Sequence, residues 1–453
     1  MPRQILFNAF DMNCLAHQSP GLWRHPYDRS TEFAGLAPWL KLAGTLERGL
    51  FEALFLADVL GVYDVFGGSQ DAAVAHGIQI PAHDPLLLVP ALAAATGHLG
   101  FGVTVNLTYE PPYLLARRFS TLDHLTGGRV GWNIVTGYLD SAARALGFKA
   151  QLAHDDRYAV AEEYMEVVYR LWQESWSDDA VVADRAGLYA DPSKVRRIVH
   201  AGDHFNLNAP HLCLPSPQRV PLLFQAGTSA AGRAFAGRHA ECVFISGPSE
   251  VVIAPRVAAI RKAAAEAGRS GSDIRIFSLM TVILAPTDAE ARDKEADLRG
   301  FGDIEGALAL LSGWTGIDFS TIPPDQEVRH VENDAGRSAL EAITRADPQR
   351  RWTVEEVARH ATIGGIGPVI AGSPATVAER LVAWQDATDV DGFNLAFATR
   401  PGSMVDVVDL LIPELQTRGL YKTAYAEGTL REKLFGAGRA RPSAPHPAAA
   451  YLR

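Results

Sequence analysis

Short runs of apolar residues alternate with longer amphipathic segments along most of the chain. Continuous apolar runs of this kind, bounded by turn-forming residues, are typical of strands that are buried on both faces of a parallel sheet. The pattern predicts eight such strands, over residues 5–12, 53–58, 100–108, 129–136, 221–227, 242–246, 274–284 and 392–396.

The segments between these strands have helical spacing of their apolar residues, and Asp84 is a candidate N-cap for one of them. Eight strands, most of them followed by a helix, indicate an α/β fold, a (β/α)8 TIM barrel. The predicted helices cover residues 39–51, 84–99, 112–125, 155–172, 229–239, 250–267, 373–387 and 404–418.

Two stretches interrupt the strand–helix period. Residues 173–220 are rich in Asp, Pro, Ser and His and predict an insertion after strand 4, with a hairpin in it. Residues 288–364 predict a second, mostly helical insertion after strand 7. We therefore expect one barrel domain over residues 1–435. Residues 436–453, rich in Gly, Arg, Pro and Ala, are expected to form a tail that covers the surface or is mobile.

Composition narrows the function classes. The chain of 453 residues carries a net charge of −10, which argues against a nucleic-acid partner. Its three cysteines include no CxxC pair, and its start is apolar rather than a basic leader. Its apolar runs fall short of the roughly 20 residues of a membrane helix. We expect a cytoplasmic protein that has no membrane span.

Polar residues at the C-terminal ends of the predicted strands are the first candidates for chemistry, because active sites of TIM barrels lie there. No spacing of His and carboxylates compels a metal site, and no Gly-rich dinucleotide fingerprint follows a strand. The candidates are Asp11, Cys14, His17, Asp58, Tyr63, Thr104, Asn106, Thr108, Asn133, Thr136, Tyr138, Gly227, Thr228, Ser229 and Asn394.

The strongest local signal is the segment QAGTSAAGR at residues 225–233, where a strand ends in Gly and Thr-Ser opens a helix. Free backbone N–H groups and the helix dipole favour a phosphate at such a place, although a simple N-cap explains the same residues. His154, Arg157 and Tyr158 at the start of a long helix could reach the same anion, or could form a capped surface turn.

Other candidates also have two interpretations. Asp58, Asn106 and Asn133 could bind a ligand or satisfy loop backbone. Cys14 and His17 could form a nucleophile–base pair, but a place in a pocket wall suits them better.

Ordered motifs from the first strand to a motif near the tail give the chain a family resemblance. It resembles the bacterial-luciferase-like flavin monooxygenases, in particular the group of nitrilotriacetate, EDTA and dibenzothiophene-sulfone monooxygenases. The motifs are GLWR (21–24), TLERG (45–49), FLAD (55–58), TLDHL (121–125), GRV (128–130), WNIVT (132–136), EY (163–164), SPQ (216–218), QAG (225–227) and GTLREKL (428–434).

Within this group the chain resembles the long-chain alkane monooxygenases in particular, through NAFDMNC (8–14), GVYDV (61–65), QIP (79–81) and PHLC (210–213). This resemblance implies that Cys14, His17, Tyr63 and Gln79 line a substrate pocket. The chain departs from it at Tyr138, where the alkane enzymes carry a His with a role in catalysis.

The resemblance implies FMN as the cofactor, bound as FMNH2 that a separate NAD(P)H:flavin reductase supplies. The enzyme would react with O2 through a C4a-peroxyflavin and insert one oxygen into a hydrophobic organic substrate, with long-chain alkanes among the candidates. Tyr138 could hydrogen-bond the peroxide or donate a proton to it, and the ordinary tyrosine pKa of about 10 favours the hydrogen bond. The resemblance also implies a homodimer or homotetramer. The implied cofactor-binding residues are Asp58, Thr104, Asn106, Thr136, His154, Arg157, Tyr158, Gly227, Thr228 and Ser229.

Several alternatives stay open at this point. The substrate could be a sulfur-, nitrogen- or halogen-containing aromatic compound, or a flavin. A barrel of this kind could also serve an F420-dependent oxidoreductase or a flavin-binding protein without catalytic activity.

Overall fold

Eight parallel strands close into a barrel in the computed structural model, which describes residues 3–227, 229–330, 337–344, 346–347 and 349–452. The barrel strands pair in the order β1-β2-β3-β4-β7-β8-β9-β11, and β11 pairs with β1 to close it. The strands are β1 Leu6–Met12, β2 Ala53–Ala57, β3 Gly100–Asn106, β4 Val130–Val135, β5 Ile198–Ala201, β6 Asn206–Ala209, β7 Leu222–Gln225, β8 Cys242–Ile245, β9 Arg275–Leu284, β10 Val369–Gly372 and β11 Gly392–Ala396.

Helices surround the barrel, so the predicted TIM-barrel fold is confirmed. None of the helices in the described part of the chain combines the length and apolarity that a membrane span requires. The helices are α1 Leu36–Arg48, α2 Asp71–His76, α3 Val89–Ala94, α4 Pro112–Thr126, α5 Asp140–Ala145, α6 His154–Glu174, α7 Ala230–His239, α8 Glu250–Glu266, α9 Asp288–Gly300, α10 Ile304–Thr315, α11 Arg337–Thr344, α12 Val354–Ala361, α13 Pro374–Thr388, α14 Gly402–Asp406, α15 Ile412–Thr417 and α16 Leu430–Phe435.

Two predicted helices differ from the structure at proline residues. The helix predicted over 84–99 is a short turn at Pro85–Leu87 followed by α3. The last predicted helix runs through α14 and α15 with a π-helical turn, Val407–Leu411, between them. Pro413 follows this turn and has no N–H to donate, so the regular hydrogen-bond ladder is interrupted there.

The N-terminal end of the barrel is closed by α16. Its side chains Leu430 and Leu434 join the inner cluster that Phe55, Phe224 and Phe277 form between the strands. A Cβ atom at Gly100 would lie 2.6 Å from Leu430 Cδ1, so the helix approaches the start of β3 very closely. With this end filled by apolar side chains, ligand space lies at the opposite end.

The segments between barrel units have structure of their own. Between β4 and β7, β5 and β6 form an antiparallel hairpin. Between β9 and β11, α10, α11 and α12 pack into a second apolar cluster around Trp352, and β10 extends the sheet along the end of β9. The tail packs on the barrel surface, where His446 Nε2 lies 2.9 Å from the His239 carbonyl oxygen.

Candidate active site

A cavity opens at the C-terminal ends of the barrel strands, opposite α16. Its volume is about 380 Å³, and it adjoins a deeper space of about 250 Å³ between the strands. Volumes of this size are typical of small-molecule sites. The residues that line both spaces are Phe10, Gln18, Ala57, Asp58, Val135, Ala226, Ser246, Trp314 and Ala339.

Two helix N-termini meet at one wall of this cavity. Ser229 caps α7, because its Oγ accepts a hydrogen bond from Gly232 N–H at 3.1 Å, and it lies 3.3 Å from Nε2 of His154, the first residue of α6. Arg157 and Tyr158 from the first turn of α6 line the same wall, and Arg157 is buried. The positive ends of two helix dipoles and a guanidinium favour an anion here.

The backbone approaches this wall too closely for side chains. A Cβ atom at Gly227 would lie 2.3 Å from Gln225 Nε2 and 2.7 Å from Tyr158 Oη. A Cβ atom at Gly232 would lie 2.8 Å from the same Tyr158 hydroxyl. Glycine at both positions therefore lets the backbone approach the Tyr158 hydroxyl closely, as it does in phosphate-binding turns.

Amide oxygens on the cavity wall lack hydrogen-bond partners within the described ranges. They belong to Gln18, Asn133, Gln225 and Asn394, and all four are buried. The other end of the Asn133 amide is fixed, since its Nδ2 donates to Thr104 Oγ1 at 2.9 Å. An unsatisfied buried acceptor costs about 1–3 kcal/mol. A ligand that carries several N–H or O–H donors would satisfy them.

Asp58 stands at the end of β2 and lines both spaces. Burial and, to a smaller degree, the negative charge of Asp84 together raise the pKa of this carboxyl to about 7. Near neutral pH a large share of Asp58 is therefore protonated. In that form its carboxyl can donate a hydrogen bond to a ligand as well as accept one.

Two tyrosine hydroxyls form a pair on another wall. Tyr63 Oη and Tyr138 Oη lie 2.6 Å apart, and Tyr63 donates to Gln79 Oε1 at 3.0 Å. Trp314 Nε1 donates to Tyr63 Oη at 3.2 Å. Burial raises the pKa of Tyr138 to about 12, so its hydroxyl is neutral at physiological pH.

The loop after β1 holds His17 and Cys14, with different surroundings. Burial lowers the pKa of His17 to about 3, and its ring packs edge-on against Phe10 at the cavity wall. Burial raises the pKa of Cys14 to about 12, and Cys14 is absent from the lining of both spaces. Arg400 donates to the Cys14 carbonyl oxygen at 2.6 Å and forms an ion pair with Asp11. A protonated thiol beside a neutral imidazole does not match an activated nucleophile.

Most of the candidates from the sequence analysis come together around the cavity. Asn106 is an exception, because its Oδ1 accepts from the Thr108 backbone N–H at 2.9 Å and the residue lies outside the lining. Asp11, Cys14 and Thr108 lie outside the lining as well. Thr228 falls outside the described residues. The candidates in the lining are His17, Asp58, Tyr63, Gln79, Thr104, Asn133, Thr136, Tyr138, His154, Arg157, Tyr158, Gly227, Ser229 and Asn394.

Some wall residues were missed from the sequence. Ser246 ends a predicted strand, so the strand-end rule could have found it. Gln18 follows His17 in an irregular loop, and Ala339 lies in α11 within the second insertion. Neither has a sequence signal, because their positions depend on tertiary packing.

Comparisons with known proteins identify the family of this chain. The family model described as "Luciferase-like monooxygenase" matches residues 10–390. The dimethyl-sulfide monooxygenase of Hyphomicrobium sulfonivorans is 48% identical over 452 residues, covering 100% of this chain and 94% of the relative. The long-chain alkane monooxygenase of Geobacillus thermodenitrificans is 44% identical over 452 residues, covering 100% of this chain and 98% of the relative.

Solved structures extend the likeness to three dimensions. The crystal structure of a long-chain alkane monooxygenase superimposes with a TM-score of 0.92 and covers 100% of both chains at 44% identity. A riboflavin lyase solved with modified FMN and riboflavin superimposes with a TM-score of 0.93 at 35% identity, covering 99% of this chain and 100% of the other. With its barrel, its strand-end cavity and these relatives, the chain belongs to the luciferase-like monooxygenase family.

Proposed function

We propose that this chain is the oxygenase component of a two-component monooxygenase that uses FMNH2. The observation that supports it best is the joint position of two features on one cavity. The anion-binding wall of α6 and α7 can hold a phosphate, and the Tyr63–Tyr138 pair on another wall can meet a substrate. Since the sequence lacks a dinucleotide fingerprint, we propose that a separate NAD(P)H:flavin reductase supplies the reduced flavin.

The cavity fits FMN on two independent grounds. The phosphate would meet Ser229, Tyr158 and the backbone at Gly227, where the close approach leaves no room for a Cβ atom. The N–H and hydroxyl groups of the ring and ribityl chain would satisfy amide oxygens such as those of Asn133 and Gln225. The further residues that we propose to contact the cofactor are Asp58, Thr104, Thr136, His154 and Arg157, with Thr228 and Asn106 expected from the family resemblance alone.

When bound, reduced FMN supplies the electrons that activate O2, so that one oxygen atom enters the substrate and the other leaves as water. The chain itself positions the reacting groups and keeps water away from them. Phe10, Val59 and Trp314 give the cavity apolar walls, which exclude water from the reacting groups. Tyr138 presents a neutral hydroxyl at the same place, and a hydroxyl with a pKa of about 12 positions a partner rather than releasing its proton.

The proposed substrate is a hydrophobic organic molecule. The relatives named for dimethyl sulfide and for long-chain alkanes cover a wide range of sizes, and both substrates are apolar. The apolar cavity walls support this class over anionic substrates. An aromatic or a flavin substrate is the second candidate, supported by the riboflavin lyase likeness.

The test is a reconstituted reaction with a flavin reductase, NADH and FMN. Purified protein should bind oxidised FMN and should consume O2 in step with a hydrophobic substrate from a panel of sulfides, alkanes, aromatics and flavins. The reductase without this protein is the control for uncoupled oxygen consumption. Failure to bind FMN in either redox state, or a complete absence of oxygenated product across the panel, would contradict the proposal.

We also propose, from the family resemblance, that the chain is a homodimer or homotetramer and, from its few cysteines, that it is cytoplasmic. Exposed apolar side chains such as Leu87, Leu125 and Leu212 are candidates for the buried contact. Light scattering during size-exclusion chromatography should give a mass two or four times that of the chain. A monomeric mass across the working concentration range would refute this part.

A further inference from the structure

The Tyr63–Tyr138 pair belongs to a chain of hydrogen bonds whose two ends have fixed roles. At one end, Gln79 Nε2 donates to the backbone carbonyl oxygen of His17 at 2.9 Å, and a carbonyl oxygen can only accept. This contact fixes the orientation of the Gln79 amide, so the atom that faces Tyr63 is the oxygen. At the other end, the indole N–H of Trp314 can only donate, and it meets Tyr63 Oη at 3.2 Å.

These fixed ends determine where each hydroxyl proton lies. Tyr63 has one proton, and Gln79 Oε1 at 3.0 Å is an acceptor in a buried place, so Tyr63 donates there. The oxygen of Tyr63 already accepts from Trp314. The remaining contact, at 2.6 Å to Tyr138 Oη, must then have Tyr138 as its donor. If Tyr63 donated to Tyr138 instead, Gln79 Oε1 would be buried without a donor. That arrangement would be less populated by about tenfold or more.

The consequence concerns what Tyr138 offers to the cavity. Its single proton is engaged by Tyr63, so its oxygen presents lone pairs to the cavity that it lines. Tyr63 is almost completely buried and is held on three sides, and thus the pair cannot easily rotate. Burial raises the pKa of both tyrosines, so that neither hydroxyl loses its proton near neutral pH.

We propose that Tyr138 is a specificity-determining hydrogen-bond acceptor, which selects ligands that carry an O–H or N–H group on an apolar body over ligands that offer only an acceptor at that point. This inference rests on the proposed function, because it assumes that the ligand beside Tyr138 is the substrate. The class it points to is amphiphilic, such as an alcohol or an amine with an alkyl or aryl part.

The test compares two isomers with the same atoms, 1-pentanol and methyl butyl ether, by isothermal titration of the protein loaded with oxidised FMN. The alcohol has one O–H donor, and the ether has none. One neutral hydrogen bond corresponds to about three- to tenfold in affinity, so Tyr138→Phe should lower the alcohol-to-ether affinity ratio by about that factor. Comparing each variant with the unmodified protein cancels the different solvation of the two probes.

A second variant should change the ratio through the ether. In Tyr63→Phe, the proton of Tyr138 loses its acceptor and turns to the cavity, so ether binding should strengthen by about threefold or more. Gln79→Met removes the acceptor for the Tyr63 proton while keeping a side chain of similar length. It should therefore also lower the alcohol-to-ether affinity ratio. Tyr113→Phe is the matched control, because its hydroxyl donates to the Pro210 carbonyl oxygen outside the cavity.

The outcomes separate the two proposals. If FMN binds and the ratio is unchanged in Tyr138→Phe, the acceptor role is wrong while the proposed function stands. If Tyr63→Phe weakens ether binding, the deduced proton direction is wrong. If FMN does not bind at all, the proposed function fails, and the same titrations without FMN still decide the acceptor role.

Discussion

The two ends of the barrel both bury polar side chains, yet they satisfy them differently. At the N-terminal end, Arg431 pairs with Glu241 at 2.7 Å and also donates to the carbonyl oxygens of Val220, Pro221 and Ala440. At the C-terminal end, the amide oxygens of the cavity wall have no partner among the described residues. Buried polar groups are normally paired, so four unpaired amide oxygens around one cavity mark a place that a ligand can complete.

The buried carboxyl groups at the two ends of the barrel also differ. Although burial opposes it, Arg431 lowers the pKa of Glu241, so this carboxylate is ionised and neutralised within the protein. In contrast, burial raises the pKa of Asp58 at the cavity to about 7, and no cation within the described residues is among the groups that shift it. We infer that the N-terminal end contributes stability and that the cavity end gives up stability for binding.

The largest expected effect comes from breaking the N-terminal pair. Arg431→Met should lower the free energy of unfolding by about 3–5 kcal/mol, because Glu241 then stays buried without its cation. Guanidinium unfolding followed by tryptophan fluorescence measures it. FMN affinity of the folded protein should be unchanged, and a variant that keeps its stability but loses FMN would remove the distinction between the ends.

The second prediction is a variant with a higher free energy of unfolding than the unmodified protein. Because the pKa of Asp58 is about 7 in the folded protein and near 4 when unfolded, the folded state holds the extra proton between these values. Stability contributed by this group is therefore lost as pH rises from about 4 to 7. Asp58→Asn has no such loss and should be more stable than the unmodified protein above pH 7, by on the order of 2–4 kcal/mol. Parallel stability curves for the two proteins across this pH range would exclude a raised pKa.

The third prediction compares two serine N-caps, to distinguish an effect on FMN binding from an effect on stability. Ser229 caps α7 at the cavity, and Ser373 caps α13 away from it. Both alanine variants should lose about 1 kcal/mol of stability. Ser229→Ala alone should weaken FMN binding, by about 1.5–3 kcal/mol, since a hydrogen bond to a charged phosphate is lost. Equal FMN affinities in fluorescence titrations of the two variants would place the phosphate elsewhere.

The smallest effect should come from the exposed ion pair of the tail. Arg441 Nη1 lies 2.6 Å from Asp178 Oδ2 at the surface. Arg441→Met should change the free energy of unfolding by less than about 1 kcal/mol, and salt should reduce the difference. A loss as large as that of Arg431→Met would mean that exposure does not explain the contrast between the two arginines.

The barrel could be predicted from the sequence because each buried parallel strand is a continuous apolar run. The strands predicted over residues 53–58 and 392–396 agree closely with β2 and β11. Elements whose formation depends on tertiary contacts were less visible. Among the described strands, β10 pairs with the end of β9 alone. The predicted helix at 84–99 is broken where Pro85 and Pro90 interrupt its hydrogen bonds.

The candidate site could be predicted as far as the fold dictates position. The strand-end rule located Asp58, Thr104 and Thr136 because a barrel brings strand ends to one mouth. It could not find the unsatisfied oxygen of Gln18, which an irregular loop places, or the partners that orient Tyr63. Hydrogen-bond direction depends on several distant segments at once, and a linear pattern contains no record of it.

Closing the barrel through β1 and β11 has a consequence for synthesis in the cell. Leu6 in β1 pairs with Gly392, so the first strand to leave the ribosome has no partner on one edge until nearly the whole chain has been translated. At about 5–20 residues per second, that interval is on the order of twenty seconds to over a minute. During this time an apolar strand edge is open to other nascent chains. We therefore expect the yield of folded protein in cells to depend on chaperones that cover β1 until β11 arrives.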